Sequence, residues 1–443
     1  MQYKYLINPT MALLLGLASH STVALTLQQA ILAADNYDSG IRAARELNEA
    51  EQQKRLQGFS GLLPLVSLNG GISKQDQPKA AYAAGVTRHN YSLNLSQPIF
   101  DVAKFATWKR AEAIADLGEV NYMRAQQQLI SDVSEAWYTV AYATQVLKNA
   151  ERTRTAFNQQ LLQAQRGLDL GEQTRLDVDE AQANYDSAVA EVIASESDLN
   201  NSKIRFSKFT GLPGDQIPLN TLECFTPQAP RDLEKIKAKT SANNLHVQAA
   251  MFSLKQSNAD VIASAGNHLP VITFQASYGN NWSRGEDENV FDSLFGTTSK
   301  TRNTNIGVNV SIPIFAGGGH IAQSIEAAHR KGQSQELLVD AQRQALGEAE
   351  SAWYGMKAGD AKIRAYKKAI FSAKKRMEST RRGRDIGQRT ILDALNAESE
   401  YFKSLKEFAR ARYDYITANI QLARATGELD YSYLNNFSCP SNI

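Results

Sequence analysis

Six histidines, two cysteines and one glycine-rich run are the residues in this chain best suited to catalysis or cofactor binding, and their spacing assembles neither. The histidines stand at positions 20, 89, 246, 268, 320 and 329, and none belongs to an HExxH or a Cys/His pattern that would gather ligands around zinc. Ala316-Gly317-Gly318-Gly319-His320 has the glycines of a phosphate cradle. It lacks the Gly-Lys-Ser/Thr ending that grips phosphate and magnesium, so it is predicted to be a strand-to-helix junction. No GxSxG is present, and neither an enzymatic activity nor a cofactor is expected. The charges that remain of interest flank two turns: Asp177 after Gly171 and Thr174, and Arg389 and Asp393 around Gly387 and Thr390. An acid at a helix start is favoured by the helix dipole, and a base there can simply be solvated.

The elements that position these charges follow from an internal repeat. Gln97-Pro98-Ile99-Phe100 recurs as Ile312-Pro313-Ile314-Phe315, Glu135-Ala136-Trp137-Tyr138 as Ser351-Ala352-Trp353-Tyr354, and Leu170-Gly171-Glu172-Gln173-Thr174 as Ile386-Gly387-Gln388-Arg389-Thr390. A near-constant offset between such segments marks one unit used twice. The prolines leave residues 99–212 and 314–439 free of any helix breaker, which predicts very long helices in both halves. A helix of about 70 residues runs about 100 Å, far beyond the ~22 Å radius of gyration of a compact chain of this length. Each repeat is predicted to run helix (26–60, 233–266), strand pair, long helix (101–170, 318–386), tight turn and returning helix (174–210, 390–426). Val133, Trp137, Val140, Thr144 and Leu147, then Phe157, Leu161, Ala164 and Leu168, alternate three–four spacing, the signature of coiled-coil packing. Gly171 and Gly387 stop one helix, and Thr174 and Thr390 cap the next.

Net charge is +2 with both signs interspersed, so no nucleic-acid partner is expected. Lys4, the apolar run Met11–Ala18 and Thr22-Val23-Ala24 read as a secretory signal over residues 1–24. No later segment offers eighteen consecutive apolar residues, so a membrane would be crossed by strands. In 66–73 and 91–96, and again in 271–280 and 305–313, apolar residues alternate with Ser, Asn and Gly. Small polar residues on the second face suit a water-filled barrel. Four strands cannot enclose such a lumen, so the pore must be shared between two or three chains.

These features together resemble the TolC family of outer-membrane channel proteins, with the segment 386–397 (IGQRTILDALNA) similar to the family's helix–turn–helix tip. The resemblance covers essentially the whole mature chain. It implies a mainly α fold with a membrane β-barrel: a homotrimer with a twelve-stranded shared barrel in outer-membrane lipid and a coiled-coil tunnel through the periplasm. It implies as partners a periplasmic adaptor (membrane fusion) protein and an inner-membrane ABC or RND transporter, in efflux or type I protein secretion. In such channels charged residues lock the periplasmic aperture. By position, Arg389 matches the aperture arginine, Asp177 its acidic partner and Asp393 an aspartate ring, whose three copies would repel one another or attract a cation. Arg384 stands where the lock has a tyrosine and Asn396 where it has a second aspartate ring, so the lock is expected to be wired differently. The turns at Gly171, Thr174, Gly387 and Thr390 would meet the adaptor. The competing reading is a non-transporting coiled-coil scaffold or adhesin, which needs no polar-in, apolar-out strands.

The predicted boundaries are a signal at 1–24, repeat 1 at 25–212, an inter-repeat equatorial segment at 213–232, repeat 2 at 233–428 and an equatorial tail at 429–443. Cys224 and Cys439 occupy nearly equivalent places after Gly211 and Gly427. An exported chain with two cysteines can bridge them or leave both free. In the family's layout both fall in the equatorial belt. Peptide mapping without reductant is expected to recover Cys224 linked to Cys439, and two alkylatable thiols would overturn the bridge.

Overall fold

The computed structural model describes residues 25–76, 85–218, 221–222, 232–285 and 299–433. The predicted signal segment, Cys224 and Cys439 lie outside them. The chain runs α1 (Leu27–Tyr37), α2 (Ser39–Ser60), β1 (Leu65–Asp76), β2 (Gly85–Phe100), α3 (Val102–Asp169) and α4 (Arg175–Thr210). The second repeat follows as α5 (Leu233–Asn243), α6 (Leu245–Gly266), β3 (Val271–Gly285), β4 (Ser299–Ser311), α7 (Gly319–Asp385) and α8 (Ile391–Ala425).

Where the sequence predicts a single leading helix per repeat, the structure has two. Asp38 and Asn244 adopt extended backbone, and each side chain caps the helix that follows. Asp38 Oδ1 accepts from the Ile41 amide at 3.0 Å, and Asn244 Oδ1 from those of His246 and Val247 at 2.9 and 3.2 Å. A short polar side chain that satisfies otherwise unpaired amides favours a break in a stretch that could have stayed helical. The long helices follow the proline-free gaps closely. Asp101 caps α3 through the Lys104 amide at 2.9 Å, and α3 and α7 have 68 and 67 residues. At α7 the glycine run does the work: Gly317 and Gly318 have φ of 60° and 81°, turning the chain from β4 into the helix.

The four strands form one antiparallel sheet in the order β1-β2-β3-β4. Register shifts between Pro98 and Phe100, where proline has no amide to give the ladder. Register fixes the two faces. Leu68, Leu93, Tyr278 and Thr304 lie on one rung and Ser67, Asn94, Ser277 and Asn305 on the next. One face therefore carries Val66, Leu68, Ile72, Leu93, Tyr278, Ile306, Val308 and Val310, large apolar side chains left exposed. The opposite face holds mainly Ser, Asn, Thr, Gln and Gly, with Leu65, Val86, Pro98 and Val271 toward the strand ends and Arg88 its one charged residue among the described strand positions.

Below the sheet the core is a belt around the middle of α3. Trp137 meets Phe206 edge to face at 5.9 Å, and Ile31, Ile217, Leu222, Ile420 and Leu429 join them. The inter-repeat segment and the C-terminal segment thus pack against the same core. Tyr431 donates to Asp35 at 3.3 Å, and Arg45 pairs with the same carboxylate at 2.9 Å. Loss of solvent, reinforced by Asp35, pushes the Tyr431 hydroxyl up to about 12. α7 buries far fewer side chains than α3 despite equal length, leaving Leu337, Tyr354 and Phe371 exposed along it.

Two left-handed glycines separate backbone conformation from crowding. Gly171 has φ 76° with open space around it, whereas at Gly427, φ 71°, an added Cβ would lie 2.4 Å from the Asn243 carbonyl oxygen. Gly171→Ala is expected to lower stability by about 1 kcal/mol, the left-handed penalty alone. Gly427→Ala should cost clearly more in thermal unfolding. The reverse order would show that α5 yields at no cost.

Candidate functional site at the helical tips

The two turns that join the long helices to their return helices are built alike. After α3 the amides of Glu172 and Gln173 both reach the Gly167 carbonyl, and after α7 those of Gln388 and Arg389 reach Gly383, the pattern of a glycine helix stop. Thr174 then caps α4, and Thr390 caps α8. Both caps are closed reciprocally by the acid three residues on. Asp177 Oδ2 accepts from the Thr174 amide at 2.9 Å and from its hydroxyl at 2.7 Å, and Asp393 Oδ2 from the Thr390 amide at 3.2 Å. Within one chain Asp177 and Asp393 are therefore equivalent cap acids. The Thr390 amide and hydroxyl, and more weakly Arg389 and Arg376, hold the Asp393 carboxyl below the usual range.

The other residues singled out in the sequence are placed as follows. Arg389 projects exposed from the turn and Asn396 is exposed on α8. Arg384 pairs with Asp385 at 2.8 Å and donates to Gln163 Oε1 of α3 at 3.3 Å, tying α7 to the first hairpin. Among the contacts within the described chain, Asp177 and Arg389 are not brought together.

The most deeply buried polar contact at the tip involves residues that sequence reasoning did not single out. Glu398 of α8 is almost fully buried, accepting from Gln160 of α3 on one oxygen and from Arg381 of α7 on the other. One carboxylate thus joins three helices and both hairpins. It sits one turn above Leu395 and two above Ile391, which pack with Phe157, Leu161, Ala164 and Ala181. Desolvation, only partly offset by Arg381, raises the Glu398 carboxyl above its ordinary value. The available signal was Ile391, Leu395 and Glu398 at four–three spacing, a charge on an apolar stripe.

A sheet with an apolar outer face, a polar inner face and two unpaired edges, carried on helices of about 100 Å, defines a membrane duct whose barrel is shared between chains. The sequence model of the outer membrane efflux protein family matches residues 38–212 and 238–428. Outer membrane protein TolC of Escherichia coli is 26% identical over 402 residues, 89% of this chain and 81% of that protein. Alkaline protease secretion protein AprF of Pseudomonas aeruginosa is 29% identical over 424 residues, 90% and 83% of the two chains. The crystal structure of the outer membrane protein VceC of Vibrio cholerae superposes with a TM-score of 0.78 at 17% identity, covering 90% of this chain and 96% of that one. The chain belongs to the outer membrane efflux protein family, the TolC-like channels of the outer membrane.

A raised carboxylate pKa fixes the sign of the pH response. Glu398 contributes its full stability to the packed tip below its unfolded value of 4.5, and that contribution is lost as pH rises through the higher folded value. Amide exchange in residues 391–402, corrected for its intrinsic pH dependence, is therefore expected to grow faster as pH rises from 4.5, and Glu398→Gln to flatten the profile. A flat wild-type profile would overturn the reading. Arg381→Ala should weaken the tip by roughly 3 kcal/mol, because it leaves the buried Glu398 carboxylate without its cation.

Proposed function

We propose that three copies of the chain form a passive exit duct of a type I protein secretion system, with a periplasmic mouth that opens like an iris at the helical tips. The observation that carries the duct is the pair of unlike faces on the sheet: a scaffold or adhesin has no use for a neutral, hydrogen-bonding inner wall behind an apolar outer one. The secretion role named for AprF supports protein as the cargo. An inner-membrane ABC transporter would supply the energy in this reading and a periplasmic adaptor would join the two; an RND pump is the counterpart if the cargo is a small molecule.

At the mouth, Arg389 is the mobile cation of the lock, reaching across to acids of a neighbouring hairpin such as Asp177. Three Asp393 side chains form a single carboxylate ring, because Asn396 gives no second one. Arg384 to Gln163 and Glu398 to Gln160 tie the two hairpins within one chain, so opening must move whole chains or break these contacts. The adaptor would dock on the turns at Gly171 and Thr174 and at Gly387 and Thr390, where the backbone is exposed.

Arg389→Ser is expected to raise single-channel conductance severalfold in planar bilayers. Conductance and gating unchanged from wild type would remove Arg389 from the lock. Crosslinking in cells followed by purification of the trimer is expected to recover an adaptor and an ABC transporter. Recovery of an RND pump instead would overturn the protein-secretion assignment.

A further inference from the structure

The lipid-facing side of the sheet is not apolar to its full height. Register places Gly70, Tyr91, Asn280 and Arg302 on one rung, and Ile72, His89, Trp282 and Lys300 on the rung nearer the hairpin ends. The next rung carries Lys74, Thr87 and Arg284. Arg302 and Lys300 are exposed on β4. Beneath them run Ile306, Val308, Val310 and Ile312, also exposed. From Ile312 to Arg302 the chain climbs about 33 Å at ~3.3 Å per residue, or about 25 Å along the membrane normal at a ~40° tilt, the height of the apolar band of such barrels. The cations therefore stand at the outer edge of the hydrocarbon, at the end remote from the periplasmic helices.

Aromatic groups lie between the two zones. Tyr91 and Tyr278 are exposed on this face, Asn280 donates to the Tyr91 hydroxyl, and Trp282 stacks on His89 at 4.9 Å between centroids. From base to top a lipid beside β3 and β4 meets aliphatic side chains, then aromatic rings and amides, then cations. Asp76 pairs with Gly85 at the hairpin end of β1 and β2.

We propose that this face is a docking surface for a phosphorylated glycolipid of the outer leaflet. Its acyl chains lie along Ile306, Val308 and Val310, its sugars against the aromatic row, and its phosphates on Lys300 and Arg302. Charge complementarity chooses this occupant. An uncharged lipid gains nothing from a basic rim, and a lipid with one phosphate and no sugars leaves the aromatic row and half the cations unused. The inference goes beyond the duct, since a channel conducts whether or not a particular lipid clings to its wall.

The test is native mass spectrometry of the purified trimer titrated with bis-phosphorylated lipid A, dephosphorylated lipid A and phosphatidylglycerol. Bis-phosphorylated lipid A is expected to bind tightest, and Lys300→Gln/Arg302→Gln to weaken it about tenfold or more. Lys300→Arg/Arg302→Lys, which keeps both charges, should bind as wild type and serves if the double Gln variant assembles poorly. Equal binding of phosphatidylglycerol, or of dephosphorylated lipid A, would overturn the proposal, as would unchanged affinity in the Gln variant. Ion conductance of the same preparations reads the duct separately. A conducting trimer that ignores lipid A rejects this surface alone.

Discussion

A strand edge inside a bilayer has no water to satisfy it, and the rest of the molecule answers to that constraint. The sheet pairs β1 to β2, β2 to β3 and β3 to β4, leaving the outer edges of β1 and β4 each with a row of unmatched amides and carbonyls. In hydrocarbon each unmatched group costs several kcal/mol, so a single copy of this sheet cannot reside there. Other copies must supply the missing partners, and a barrel of shared strands is the solution that leaves no edge. The sparse burial along α7 tells the same story below the membrane: a helix of 67 residues with aromatic groups exposed along it is shaped for neighbours.

The repeat serves this assembly. Two hairpins of nearly equal length, each about 100 Å down and half that back, give one chain two staves of the tunnel. They are not interchangeable. α3 is sealed on several sides by α2, α4 and α6, and its middle holds the aromatic core of the belt. α7 and α8 pack mainly on one another, and Glu398 with Arg384 pins their tip to α3. Apolar packing fixes α8 to the belt through Ile416 and Ile420 and to the first hairpin's tip through Ile391 and Leu395, while α7 keeps a long face uncovered within one chain.

Much of this was legible in the sequence because proline and glycine punctuate locally. The stretch predicted as a helix over 101–170 is α3 at Val102–Asp169, and the stops at Gly171 and Gly387 fall where left-handed backbone is needed. The breaks at Asp38 and Asn244 were hidden because neither residue forbids a helix, and only the satisfied caps reveal them. Asp177 and Asp393 were read through a family resemblance as lock acids. Their local use, closing a cap with a threonine three residues before, was available from the Thr-x-x-Asp pattern itself. For Glu398 the spacing after Ile391 and Leu395 marks a charge on an apolar stripe, but not its partner: Gln160 lies 238 residues away in the chain, and no spacing rule connects them.

The inner wall of the barrel carries a last consequence. Its described strand positions are mostly serine, asparagine, threonine, glutamine and glycine, with Leu65, Val86, Pro98 and Val271 toward the strand ends and Arg88, bonded to Gln75 at 2.8 Å, as the sole charge. Short uncharged groups bind water about as well as water binds itself, so a solute sliding past exchanges one weak contact for another and meets neither a trap nor a repulsive step. Such a lining acts as a lubricant. It is indifferent to what passes, and discrimination is left to whatever loads the far end.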